Sequence, residues 1–364
     1  MLVIHWHWLH PLVARPGQGT AFLALAVLVA MAVDRVWGEP PARWHPVVWM
    51  GQALGACGRW VAPTASTGRD LKGFWLAALF WCALAAIVLI VSALLQAAVL
   101  YVWGAPTEVC EVIIDMPGLG LEGACAMVGV LRFLLAALLL GLLLKPLFAF
   151  RLLLREVCAV EDALARSLGE GRARLAWLVS RDVTQLSADE VRQSAIESLA
   201  ENLNDSVVAP LFWFAVAGLP GAALYRLANT ADAMWGYRGM REGRYWEWAG
   251  KWAAHADDVL SWLPARITAL LLALAGRGVR PRALAREARR TPSPNSGWPM
   301  AAMALVLDVR LTKPGVYQLH AQGRAPGAPD VARAETVASK VVMAIAGIAG
   351  AAIVIVVIEG VWNV

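Results

Sequence analysis

Charge is scarce in this chain. Only 16% of its 364 residues are Asp, Glu, Lys or Arg, against about 25% in ordinary soluble domains, so an ordinary soluble domain is excluded. No Walker motif, Gly-rich dinucleotide fingerprint, nucleophile elbow or zinc signature occurs, which removes the classes those motifs mark. The five cysteines show no CxxC or Cys/His ligand spacing. Only Cys110 and Cys125 flank a loop where a disulfide is chemically possible. The N-terminus has no basic n-region and no small-residue cleavage signal after its first apolar run, so no cleaved signal peptide is expected. His5, His7 and His10 lie beside Trp6 and Trp8 and read as part of an interfacial aromatic belt rather than a metal site.

What the chain has is hydrocarbon: 59% of it is hydrophobic, with 18 tryptophans, many at expected helix ends, where indoles anchor at a membrane interface. Four runs are long enough to cross ~30 Å of hydrocarbon as helices: 20–37, 73–103, 124–150 and 337–358. Two shorter runs, 207–224 and 259–275, contain Pro210, Pro220, Pro264 and Arg266. They read as ordinary spans or as short re-entrant segments, which are tolerated only when buried in protein or lining a wet cavity. The expected fold is an all-α polytopic membrane bundle, a single domain over 1–364.

Loop charge sets the orientation. The loop 104–123 carries Glu108, Glu111, Asp115 and Glu122 and no Lys or Arg, whereas 38–72 and 151–206 are rich in arginine. The positive-inside rule puts the acidic loop outside and the basic loops, including 225–258 and 276–335, in the cytoplasm. The net charge of +5 reflects these inside loops, so nucleic acid is not implied.

Within 151–206, Leu152, Leu153, Leu154, Val157, Val160, Leu164 and Leu168 recur at helical spacing, predicting an amphipathic cytoplasmic helix that ends at Gly169 to Gly171. Ser187 reads as the N-cap of a second helix, with acids in its first turn. That helix puts Glu197, Glu201 and Asp205 on one stripe without an intervening Lys. Asp232 and Asp257-Asp258 follow beside further apolar runs; Asp257 and Asp258 can also be read as capping the helix after them. A carboxylate beside hydrocarbon costs several kcal/mol unless something binds it. Six such acids (Glu197, Glu201, Asp205, Asp232, Asp257 and Asp258) suggest a cation, most simply Mg²⁺ with a phosphorylated substrate. Arg277 to Arg290 reads as a basic cytoplasmic helix, Thr291 to Pro299 as a helix-breaking loop, and Gly315 to Asp330 as a flexible segment.

Five stretches in order carry a resemblance. They are Asp34-Arg35-Val36-Trp37-Gly38-Glu39-Pro40 with His45-Pro46-Val47 and Met50-Gly51; Glu197-Ser198-Leu199-Ala200-Glu201-Asn202 with Asp205 and Ala209-Pro210-Leu211; and Asn229 to Tyr237. Asp257-Asp258 with Pro264-Ala265-Arg266, and Ser293-Pro294-Asn295-Ser296-Gly297-Trp298-Pro299, complete the set. Together they resemble the CbiB/CobD family, the adenosylcobinamide-phosphate synthases of cobalamin biosynthesis, over residues 31–318. Each stretch alone is weak, whereas five in register are specific. The chain departs from the family pattern at Ser206, Ala233, Ser261, Met300 (commonly Glu) and Thr312-Lys313-Pro314 (commonly Gly-Gly-Pro).

The resemblance implies a bacterial inner-membrane amide ligase with its site on the cytoplasmic side. Its substrates would be adenosylcobyric acid, an amino-alcohol phosphate and ATP with Mg²⁺; homo-oligomers and soluble corrinoid-pathway enzymes are possible partners. Glu197, Glu201, Asp232 and His45 would be catalytic, the last as a base that keeps the amine neutral. Asp34, Glu39, Asn202, Asn229, Tyr237, Ser293 and Asn295 would bind substrate or nucleotide, and Arg181, Arg238 and Arg266 would contact phosphates. Two alternatives use the same residues differently. A cation- or proton-coupled transporter also needs intramembrane acids and broken helices, but no inverted repeat relates the halves. A scaffold for soluble corrinoid enzymes would leave the acids without work.

Overall fold

The computed structural model describes residues 16–65, 68–104, 122–276 and 278–362. These residues are helical almost throughout. In order come α1 (Pro16–Val36), α2 (Pro46–Val61), α3 (Leu71–Gly104), α4 (Glu122–Leu144), α5 (Phe150–Arg166), α6 (Leu168–Leu175), α7 (Ala188–Leu203) and α8 (Ala209–Trp235). Then follow the hairpin β1 (Met240–Arg241) and β2 (Arg244–Tyr245), α9 (Lys251–Ala275), α10 (Pro281–Ala288), α11 (Gly297–Leu307), the hairpin β3 (Leu311–Lys313) and β4 (Tyr317–Leu319), and α12 (Ala328–Trp362). Both hairpins are two-stranded and antiparallel. Among the described residues six helical runs are long and apolar enough to cross a membrane. Two of them join neighbouring elements, α4 with α5 and α7 with α8. Cys110, the acids Glu108, Glu111 and Asp115, and His5, His7 and His10 lie outside the described residues.

One large apolar core joins α1, α4, α7, α8, α11 and α12. Small residues let helices approach: a Cβ at Gly141 would collide with the Ala26 carbonyl and Val29, so α4 lies directly on α1. A second core, rich in tryptophan, joins α2, α3, the end of α8 and the start of α9, with Trp235 stacked on Trp246.

Helix ends differ from the sequence reading in four places. The amphipathic helix ends at Arg166 rather than at the glycines, because Ser167 turns extended and N-caps α6 through Glu170 N. Asp257 and Asp258 cap nothing: α9 already starts at Lys251, so both acids project from its second turn. The Thr291–Pro299 loop is shorter than its prolines suggest, since α11 begins at Gly297 and Pro299 fits in its first turn, where no N–H partner is needed. The Gly315–Asp330 stretch is ordered. There β4 pairs with β3, and Arg324 donates to Asp330 at 2.5 and 2.6 Å. Ser187 heads α7 with a full capping box closed by Glu190.

Two breaks shape the segment that carries most of the acids. Asn204–Val208 forms a single π-helical turn between α7 and α8, a local widening often found at functional sites. Inside α8, Ala217 and Gly218 leave the helical region, Gly218 at φ 66° and ψ −156°, a conformation that needs glycine. Pro220 follows and lacks an N–H. The freed amide of Leu219 donates to Gln96 Oε1 of α3 at 2.7 Å, a buried side chain standing in for the missing carbonyl.

Candidate active site

The first polar centre is built where α1 ends. Asp34, in its last turn, is buried, and its Oδ2 accepts from Arg151 N at 2.9 Å at the start of α5. Lys145, just after α4, is 3% exposed and reaches Asp34 Oδ1 at 3.0 Å and Glu39 Oε1 at 2.7 Å. Glu39 Oε2 lies 3.1 Å from His45 Nε2. Burial raises the Glu39 carboxyl, but the bonds from His45 and Lys145 outweigh it and hold the group below its usual range. Asp34, Glu39 and His45 are thus held together by a lysine that the sequence reading did not single out. Beside them opens a cavity of about 940 Å³, walled by Trp37, Trp44, Trp49, Leu84, Val88 and Leu219 and otherwise almost wholly apolar.

The second centre joins three helical segments. Asp205 comes from the π turn, Asp232 from the end of α8 and Asp257 from α9, and all three lie within electrostatic reach of one another, with Asp258 beside them. Their partners are few. Asp205 Oδ1 accepts from Asn204 Nδ2 at 2.8 Å and lies 3.5 Å from the Tyr225 hydroxyl. That hydroxyl also meets Ser261 Oγ at 3.1 Å, and Ser261 Oγ reaches Asp257 Oδ2 at 3.5 Å. Asp257 Oδ1 is buried with no hydrogen-bond partner within 3.5 Å among the described residues. The Asn229 side chain faces both Asp205 and Asp257. Arg226 stands among them, donating to Asp205 O at 3.0 Å and Asn229 Oδ1 at 3.3 Å, within reach of Glu39. Neither Arg226 nor Tyr225 was assigned a role from sequence. Their place on α8, one turn before Asn229, was the only signal.

The third centre holds the two glutamates. Glu197, 1% exposed, is ion-paired through Oε2 to Arg181 at 2.8 Å, and Arg181 also donates to Ser194 Oγ at 3.3 Å. Glu197 Oε1 is buried and unpartnered. Glu201, one turn on, lies within reach of both Glu197 and Asp205. Asn202 turns back along α7 to Ser198, donating to its carbonyl at 2.9 Å. Over this end lies the β3–β4 hairpin, which brings Lys313 and Tyr317 close to Glu197 and Glu201. The Tyr317 hydroxyl also reaches Met300 Sδ at 3.7 Å, which ties the hairpin to α11.

The remaining candidates hold loops. Arg266 is stacked between Trp262 and Trp298, 4.5 and 4.9 Å from their centroids, and donates to Asn295 Oδ1 at 2.6 Å. Asn295 in turn donates to Asp258 O at 2.7 Å, and Ser293 Oγ accepts from Asn295 N and Ser296 N. These bonds tie the loop before α11 to the helix that carries Asp257. Tyr237 lies under the Arg241 guanidinium at 3.8 Å, and Arg238 is exposed within reach of Asp258.

The six acids therefore do not form one ligand set. Glu201 stays within reach of both Glu197 and Asp205 across the π turn, but Asp205 also faces Asp257 and Asp232, and Arg181 already neutralises Glu197. Among the described residues no three His, Cys, Asp or Glu side chains are gathered to hold a metal by themselves.

Fold and sites define the class: a multi-pass membrane protein with buried carboxylate centres carried on broken helices. The chain belongs to the CobD/CbiB family, the adenosylcobinamide-phosphate synthases; the family model described as "CobD/Cbib protein" matches residues 27–346. It is 37% identical over 300 residues to a "Probable cobalamin biosynthesis protein CobD" of Methanothermobacter thermautotrophicus, covering 80% of this chain and 85% of the relative. A "Cobalamin biosynthesis protein CobD" of Halalkalibacterium halodurans is 37% identical over 308 residues, 81% of this chain and 82% of the relative. One of Rhodobacter capsulatus is 47% identical over 182 residues, 49% and 56% of the two chains. No solved structure matches the chain.

Proposed function

We propose that the protein is an ATP- and Mg²⁺-dependent amide ligase that joins an amino-alcohol phosphate to a propionate of adenosylcobyric acid, giving adenosylcobinamide phosphate. The observation that carries this reading is the Asp205–Asp232–Asp257 centre in a chain of this family: three carboxylates from separate segments with Arg226 as the nearest cation. Such a set is short of positive charge. The unpartnered Asp257 Oδ1 fits a divalent cation that takes one or two carboxylates and fills its shell with water and substrate phosphate oxygens. Asp257, with Asp205 or Asp232 as a second carboxylate and Asn229 beside them, would hold that cation, water and substrate oxygens completing its shell. Bound there, Mg²⁺ would neutralise charge on the transferring phosphoryl group.

A carboxylate is a poor electrophile. The substrate propionate oxygen therefore attacks the γ-phosphorus of ATP, ADP leaves, and an acyl phosphate results. The donor nitrogen then attacks the acyl carbon and inorganic phosphate leaves. The proton lost from the ammonium passes to a protein base; Glu201 is a carboxylate of the right kind close to the acid centre, and His45 is held on Glu39. Arg226 suits the developing phosphate charge, being half-buried beside Asp205 with its buried Nε unpartnered among the described residues.

The same reading puts the site at the cytoplasmic face of the bacterial inner membrane, with α8 entering and leaving on that side. Three contacts support it. Ser206 O, before α8, accepts from Ala149 N beyond the end of α4; the break at Gly218 lies against Gln96, toward the far end of α3; and Trp235 returns to the Ala77 end of α3.

The test is amide synthesis by the purified full chain, followed by mass spectrometry. ATP should be consumed only when corrinoid and amino-alcohol phosphate are both present, and no amide at saturating Mg²⁺ sinks the ligase reading. A transporter would instead move a cation or corrinoid across proteoliposomes without consuming ATP.

A further inference from the structure

The acids of the third centre are not needed for the metal in the reading above, and their surroundings are of mixed charge. Glu197 is almost wholly buried and uses one oxygen on Arg181; among the described residues Oε1 has no donor within 3.5 Å, although the Tyr317 hydroxyl is close enough to act on the carboxylate. An ionised oxygen shielded from water and unbonded costs several kcal/mol, so this atom marks a place for a ligand donor. Glu201 adds a second carboxylate one turn away. Facing them, Lys313 stands at the end of β3, partly exposed and in no ion pair among the described residues, although it acts electrostatically on both glutamates. Tyr317, across the hairpin from Lys313, is the register partner that fixes the lysine's position. Burial first, and then Glu197 and Glu201, push the Tyr317 phenol up, so its hydroxyl stays a donor. The hairpin is anchored from below: Leu311 and Leu319 are fully buried, and Glu287 accepts from His320 N at 2.8 Å. The anchored hairpin therefore sets an ammonium and a phenol against the two carboxylates of α7.

A ligand complementary to this arrangement carries a cationic amine at one end and a compact anion at the other. An amino-alcohol phosphate is such a molecule, whereas ATP offers no ammonium and a corrinoid is far larger than a gap between one helix and one hairpin. We propose that the space between α7 and the β3–β4 hairpin is the amine-donor subsite, where Glu197 Oε1 and Glu201 hold the ammonium group and Lys313, with Arg181 and Tyr317, holds the phosphate. This assignment rests on the ligase reading for the identity of the donor, and makes Lys313 a specificity-determining residue. It also places the amine next to Glu201, and Glu201 next to Asp205, so donor and phosphoryl-transfer centres adjoin.

The experiment is a calorimetric titration of the full chain in lipid nanodiscs, with Mg²⁺ and a non-hydrolysable ATP analogue present. Three probes are used: 1-amino-2-propanol phosphate, 1-amino-2-propanol, and isopropyl phosphate. The intact chain should prefer the first. Lys313→Gln should weaken it about tenfold or more, as loss of a hydrogen bond between charged groups does, while changing the unphosphorylated amine by less than about twofold. Glu201→Gln should weaken both amines and spare isopropyl phosphate. Both positions are partly exposed, so the variants should fold; Tyr317→Phe provides a milder third arm with a smaller loss for the two phosphates. Equal affinities in the intact chain and Lys313→Gln, or weakened binding of the ATP analogue alone, would overturn the assignment. Amide synthesis is scored separately: donor binding in the expected pattern without amide formation supports the subsite and sinks the ligase chemistry.

Discussion

Replacing Lys145 with methionine removes one charge and keeps most of the side-chain volume. In the native protein its ammonium neutralises Asp34 and Glu39 at 3.0 and 2.7 Å, and the three side chains are 3%, 5% and 17% exposed. At that burial, solvent screening recovers little. Breaking a buried pair by deleting one partner costs about 3–5 kcal/mol, because the other charge is left uncompensated. Asp34 keeps its bond from Arg151 N and Glu39 keeps His45, so the lower end of that range is expected. The measurement is denaturant unfolding of the full chain in a fixed detergent, comparing midpoints at unchanged slope. A triple variant, Lys145→Met with Asp34→Asn and Glu39→Gln, should recover much of the loss, since it removes the stranded charges as well. A single-variant loss under about 1 kcal/mol, the range of exposed pairs, would refute the reasoning.

Three further outcomes follow from the same geometry. Because Glu39 is held below its usual range, its contribution to stability is complete above the unfolded Glu value of about 4.3 and fades as pH falls through the lowered folded value. An acid titration of unfolding should show this, and Glu39→Gln should flatten it. Asp257→Asn and Asp232→Asn should each lower Mg²⁺-dependent turnover on the order of 10²-fold with folding retained; normal turnover in both would remove the cation from this centre. A cysteine at Gly239, just after α8, should react with a membrane-impermeant thiol reagent only from the same side as one at Ser293; opposite sides would make α8 a true crossing.

The sequence patterns that proved informative were local ones. Ser187 and Glu190 are three residues apart, and their reciprocal bonds need nothing else, so the start of α7 was readable. Apolar length alone located α1, α3, α4 and α12, because a helix in hydrocarbon satisfies its own backbone. What escaped notice depends on distant partners. Lys145 looks like the end of an apolar run until Asp34 and Glu39, 111 and 106 residues earlier, are brought to it. The π turn that carries Asp205 leaves no mark in the spacing of Glu197, Glu201 and Asp205, which remain neighbours across it. The hairpin that carries Lys313 and Tyr317 lies in a Gly- and Pro-rich stretch with too few residues per strand to show alternation. Asp205, Asn229, Asp232 and Asp257, from three of the motif stretches, come together although 52 residues separate the first from the last.

The bond from Leu219 N to Gln96 also constrains how the protein is made. A chain emerging from the ribosome presents α3 more than a hundred residues before the broken helix. The glutamine is therefore already in the bilayer when residues 217–220 arrive with an amide that has no carbonyl of its own. Insertion in the reverse order would expose that amide to lipid, so circular permutants that place α8 ahead of α3 should accumulate poorly and be cleared by membrane proteases, even though every contact of the finished fold remains available to them.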